Sequence, residues 1–166
     1  MDVSDIVALI AFCAVCILAA SMGAIFRPGE WYEQLSKPAW RPPNWLFAPA
    51  WTFLYFTIAI SGWLVWHSEG FNAGLPLTLY AVQLALNAAW TPIFFGLHRI
   101  GAALVEILTL WLAIAATTAA FAQVHVVAAW LLVPYLAWVT FAVGLNFSIW
   151  RGNPSKPSHF PPKEGS

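Results

Sequence analysis

Five stretches of this chain, at about residues 6–26, 45–66, 75–97, 100–122 and 126–150, are each long and apolar enough to cross a bilayer. A transmembrane helix needs about 20 mostly apolar residues, and lipid leaves helices as the only way for such segments to satisfy their backbone groups one by one. Charged residues make up only 8% of the chain, against about 25% in a soluble domain. The expected fold is therefore an all-α membrane protein, a bundle of five transmembrane helices spanning residues 1–150. The polar, proline-rich residues 151–166 read as a disordered tail. Asp2 and Asp5 stand where a signal peptide would carry basic residues, and the first apolar run exceeds the roughly 7–15 residues of such a peptide, so it is kept as a helix.

The connections at 67–74, 98–99 and 123–125 are short, which predicts antiparallel neighbours in sequence order. Only residues 27–44 form a long connection, a candidate functional loop. Arg27, Lys37 and Arg41 lie in that loop, Arg99 in the third connection, and Arg151, Lys156 and Lys163 after the last span. With five spans these all fall on one side, so the positive-inside rule places the long loop and the C-terminus in the cytoplasm and the N-terminus outside. Formal net charge is zero and no basic stripe exists, so nucleic-acid binding is not expected.

The long loop runs into "KPAWRPPNWLFAPAW", residues 37–51, with four prolines and three tryptophans. Pro38, Pro42 and Pro43 stiffen its backbone, Pro49 is tolerated in the first turn of the second span, and Trp31, Tyr32 and Trp40 supply apolar, stacking surface. Such a segment reads as a rigid lid over a cavity open toward the cytoplasmic end. In the third span, at 100° per residue from Ala81, Gln83, Asn87, Trp90 and Phe94 share one face at about 180–240°. Ala81, Ala85 and Ala88 form a small-residue stripe on the opposite face, suited to close helix contact in lipid. In the fifth span Leu131, Tyr135, Trp138, Ala142, Leu145 and Ile149 recur at three- and four-residue steps, and the second span sets Trp51 and Tyr55 one turn apart. Asn87 requires either an interhelical hydrogen bond or a ligand contact.

Other reactive residues offer less. Glu106 is the only acid within a span and is expected to reach the interface or pair with Arg99 rather than to act in catalysis. The "CAVC" of residues 13–16 lies inside an apolar helix with no following His, so it reads as packing. His67, His98, His125 and His159 do not cluster, so no metal site is expected. Pro92 and Pro134 should bend the third and fifth spans.

The segments "GEWYEQLSKPAWRPPNWLFAPAW", "QLALNAAWTPIFFG" and "VPYLAWVTFAVGLN" together resemble the signature blocks of the TspO/MBR family, in order and spacing, over nearly the whole chain. The resemblance is to a bacterial member. It implies a five-helix membrane fold, a homodimer (here through the third span), and a pocket capped by the first loop. That pocket would bind porphyrins such as protoporphyrin IX or haem, and other flat apolar small molecules, with membrane lipid around it and no intrinsic cofactor. Carried over by position, the pocket residues are Trp31, Tyr32, Trp51, Tyr55, Asn87, Trp90, Trp138 and Ala142. Some bacterial members promote light-dependent breakdown of protoporphyrin IX, and the two tryptophans tied to that activity match Trp51 and Trp138. The resemblance equally admits a non-enzymatic carrier or sensor of porphyrins, lipids or sterols. The cholesterol motif of animal members is broken here, where Phe147 replaces its tyrosine.

Overall fold

The computed structural model describes residues 3–154. Six α-helices appear in chain order: α1 Val3–Ile25, the short α2 Glu30–Gln34, α3 Phe47–Glu69, α4 Gly74–Thr91, α5 Ile100–Val124 and α6 Val126–Gly152. All but α2 belong to spans apolar and long enough to cross a membrane. The α3 helix is entered through a 3₁₀ turn, Asn44–Leu46, and α4 is prolonged by a π turn, Pro92–Gly96. Proline accounts for the latter. Pro92 has no N–H to donate to the preceding turn, and the chain instead closes a wider ring, with Leu97 N donating to Pro92 O at 2.8 Å. Pro134, by contrast, is accommodated within an unbroken α6.

The membrane helices close into a ring in the order α1, α3, α6, α5, α4 and back to α1. This corrects the sequence-order expectation for one pair. The α3 and α4 helices, though joined by a short link, touch only sparsely and face each other across the interior. A turn at Gly70, in the left-handed region at φ +55°, ends α3 there. A single extended residue, His125, separates α5 from α6, and its Nδ1 accepts from Ala128 N at 3.3 Å.

Lipid gives helices no hydrophobic reason to associate, so small residues and interhelical hydrogen bonds must hold the ring. Both are present. Ser61 Oγ donates to Ala128 O (2.7 Å), Trp111 Nε1 to Thr140 Oγ1 (2.7 Å) and Tyr80 OH to Ile58 O (3.2 Å). Gly62 lets Phe12 and Tyr80 approach so closely that an added Cβ would lie 2.8 Å from their rings. Cys16 is buried 3.5 Å from the Tyr80 hydroxyl, in keeping with a packing role for the cysteines. Exposed Val7, Ile10, Leu18, Phe56, Val105 and Leu112 turn outward, as a surface facing hydrocarbon requires.

At the end opposite the long loop, Asp5 pairs with His67 Nδ1 at 2.8 Å. At the loop end the ordered chain continues past residue 150. The α6 helix runs to Gly152, and Asn153 Nδ2 donates to the carbonyls of Ile149 (2.8 Å) and Ser36 (2.9 Å). The tail expected to be disordered lies, from residue 155, outside the described residues.

Candidate functional site

The polar-aromatic face of α4 points into the ring, as its periodicity requires. Gln83, Asn87 and Phe94 are buried and Trp90 half-buried. Asn87 uses both ends of its amide: Tyr55 OH donates to Oδ1 at 2.6 Å, and Nδ2 donates to Tyr135 OH at 2.9 Å. A buried amide in lipid needs such partners, and the result ties α3, α4 and α6 together at one level. Trp51, one turn from Tyr55, lies 5.4 Å from its ring and 6.3 Å from that of Tyr135. Three of the positions carried over from the resemblance, Trp51, Tyr55 and Asn87, thus form one cluster, and Tyr135, fully buried, completes it.

One turn toward the loop, Trp90 stacks on Phe94 at 5.0 Å. With the Asn146 amide turned so that its nitrogen donates to Ile100 O (3.3 Å), its oxygen accepts from Trp90 Nε1 (3.1 Å). Above this layer lies the long loop. Trp31 stacks on His98 (4.2 Å, 19°) and meets Phe94 edge-on, and Tyr32 is buried against Phe94 and Phe95. Lys37 Nζ donates to the carbonyls of Tyr32 (2.6 Å) and Glu33 (2.9 Å), capping the C-terminal end of α2 as a cation does best. Ser36 and Asn153 exchange two hydrogen bonds, each 2.9 Å, which clasp the loop to the end of α6. Trp40 then rests edge-on against Phe141 at 5.5 Å.

The loop is shut down upon the helix ends. The α4 face meets side chains of α3 and α6 where the sequence suggested an open cavity. Trp138 stands apart from Trp51. It packs against Phe47 (5.8 Å) and Phe141 (5.9 Å) and lines an apolar groove of about 370 Å³ between α3 and α6, with Ala50 and Phe53 on one side and Pro134 and Ala137 on the other. Ala142, one turn on, is half-buried against the core.

Glu106 departs from its expected role. It makes no ion pair with Arg99, and both carboxyl oxygens are buried without a hydrogen-bond partner among the described residues. The amide of Gln83 is buried and unpartnered in the same sense. Tyr135 stood in the α6 stripe without being assigned to the site. Asn146 and Asn153 carried one usable signal each: an amide inside a span, and an amide just past a helix end.

Comparison with known proteins matches residues 10–151 to the model of the TspO/MBR family. Relatives include "Protein CrtK" of Rhodobacter capsulatus, 48% identical over 85% of this chain and 89% of the relative. The "Tryptophan-rich sensory protein" of Cereibacter sphaeroides is 47% identical over 88% and 91%. The human "Translocator protein" is 47% identical over 82% and 84%.

Proposed function

The chain belongs to the TspO/MBR family, and from that premise we propose that it binds a tetrapyrrole of the protoporphyrin IX class beneath the long loop and promotes its light- and oxygen-dependent breakdown. The observation that carries this reading is the layered aromatic site itself. Indoles and phenols from α3, α4 and α6 converge under a loop whose own aromatics rest on the same helices. Flat faces of this kind stack on a macrocycle, and the described arrangement is the closed form, which opens by releasing loop and side chains. Light excites the bound ring, dioxygen is the oxidant, and Trp51 and Trp138 are the side chains that exchange an electron with it. The macrocycle does the hard chemistry and the protein positions it. Illumination of the purified protein with protoporphyrin IX, with and without oxygen, tests this. Loss of the porphyrin absorption band only with light and oxygen, faster than in protein-free detergent, is the expected result. Recovery of intact porphyrin would refute breakdown.

The names of two relatives, a sensory protein and a translocator protein, favour a second reading, a carrier or sensor that releases its ligand unchanged. Under either reading the rigid loop lowers the ordering cost of binding. The double variant Pro42→Gly, Pro43→Gly is expected to keep the fold and to weaken affinity about 5- to 30-fold, the equivalent of 1–2 kcal/mol. Unchanged affinity in a titration would make the loop a mere connector.

The homodimer forms through α4 in this proposal, with the loop end cytoplasmic and the N-terminus external. Ala81 and Ala85 lie on the lipid-exposed side of α4, and Ala88 turns partly into the core. Ala85→Leu is expected to weaken dimers in detergent while porphyrin binding survives. Cross-links joining wild-type dimers through another helix would contradict it.

A further inference from the structure

Of the three cations of the long loop, Arg27 donates from Nε to Ala24 O at 3.1 Å, and the other two differ in how the fold uses them. Lys37 is committed to carbonyls of α2, to the Glu33 carboxylate at 3.9 Å and to the Tyr32 ring at 4.7 Å. Arg41 is not. Its Nη1 is buried and has no hydrogen-bond partner, and no carboxylate pairs with its guanidinium among the described residues. A buried guanidinium donor left unpaired is costly, and none of the described residues supplies its partner.

The backbone around this residue is constrained. Arg41 N donates to Pro38 O at 3.2 Å, closing a turn over residues 38–41, and Pro42 and Pro43 fix the next two φ angles. Residues on either side of it dock on the same aromatic patch of α6: Trp40 on Phe141 (5.5 Å) and Phe47 on Trp138 (5.8 Å). Arg41 thus lies in the loop between two residues, Trp40 and Phe47, that rest on the aromatic patch of α6, and one nitrogen of its guanidinium is buried without a partner among the described residues. A planar fork of N–H donors matches a carboxylate in two parallel hydrogen bonds, which a lysine cannot reproduce.

We propose that Arg41 is the specificity-determining contact of this site, pairing with a carboxylate on the rim of a flat apolar ligand, so that the site selects an acidic macrocycle over its uncharged counterpart. The proposal rests on the reading that such a ligand binds under the loop. It assigns recognition of the acid to the loop and of the ring to the helices.

Protoporphyrin IX and its dimethyl ester share one ring and differ in charge, so titrating both into the full-length protein separates the two contributions. The wild type is expected to prefer the diacid by about tenfold or more. Arg41→Gln should abolish that preference by weakening the diacid while leaving the ester within about twofold, and Arg41→Lys should recover only part of it. Ester binding reports that the variants are folded. Equal wild-type affinities for both rings, or diacid affinity unchanged in Arg41→Gln, would overturn the role of Arg41 and leave the porphyrin reading standing. Loss of both ligands in Arg41→Gln would make the residue a structural support of the loop and overturn the proposal. Saturable binding of neither ring to the wild type would overturn the reading of the site, and this inference with it.

Discussion

Trp51→Phe and Trp138→Phe are each expected to hold protoporphyrin IX within about tenfold of the wild-type affinity, roughly 1.4 kcal/mol, and to lose most of the light-driven conversion. Phenyl and indole present similar apolar faces to a macrocycle, whereas indole is far more easily oxidised. The substitution therefore separates binding from chemistry. The two sites also differ in a way that the measurement can resolve. Trp51 is wedged against Tyr55 and Tyr135 inside the ring, and Trp138 borders the groove between α3 and α6. A smaller ring at position 51 disturbs the buried cluster, so the larger affinity loss is expected there. Bleaching of bound porphyrin at the wild-type rate by both variants, under equal illumination and oxygen, would make the indoles walls only and leave the carrier reading in front.

Asn87→Leu carries the second large effect, on stability. The Asn87 amide joins the Tyr55 and Tyr135 hydroxyls through bonds of 2.6 and 2.9 Å, and Leu removes both partners at once. Stranding buried polar groups costs about 1–3 kcal/mol, read as a lower unfolding midpoint in detergent. The informative comparison is the triple variant Tyr55→Phe, Asn87→Leu, Tyr135→Phe, in which no hydroxyl remains to be stranded. It should recover much of the loss, since replacing all partners by apolar groups is close to neutral. A triple variant less stable than Asn87→Leu would show that the tyrosine hydroxyls are satisfied elsewhere and that the network does not link the helices.

Helical periodicity made one half of this architecture readable in the chain. Gln83, Asn87, Trp90 and Phe94 turn inward together, and the α6 residues Tyr135, Leu145 and Ile149 are buried as their spacing demands. Apolar length alone placed the spans to within a few residues of the observed helices. Lateral order was not legible, because a short link between α3 and α4 limits distance only at one end. Ala59 and Ala128 are buried and Gly62 packs against Phe12 and Tyr80, but small residues in a linear pattern do not say which helix fills the space beside them. The partners of Asn87 were equally hidden: the sequence shows that a buried amide needs them, and only the ring order brings Tyr55 and Tyr135 to the two ends of that amide. The clasp between Ser36 and Asn153 joins residues 117 apart, a pairing no local pattern can announce. Glu106 illustrates the converse, since proximity in sequence to Arg99 suggested a pair that the helix does not form.

The most direct test of a tetrapyrrole site beneath the loop is an equilibrium titration of protoporphyrin IX into the protein in lipid nanodiscs, set against empty nanodiscs of the same lipid. Saturable binding near one ring per chain, with quenching of tryptophan emission that is reduced in Trp51→Phe, is the predicted result. Porphyrin uptake that rises without saturation and equals that of the empty discs would contradict it.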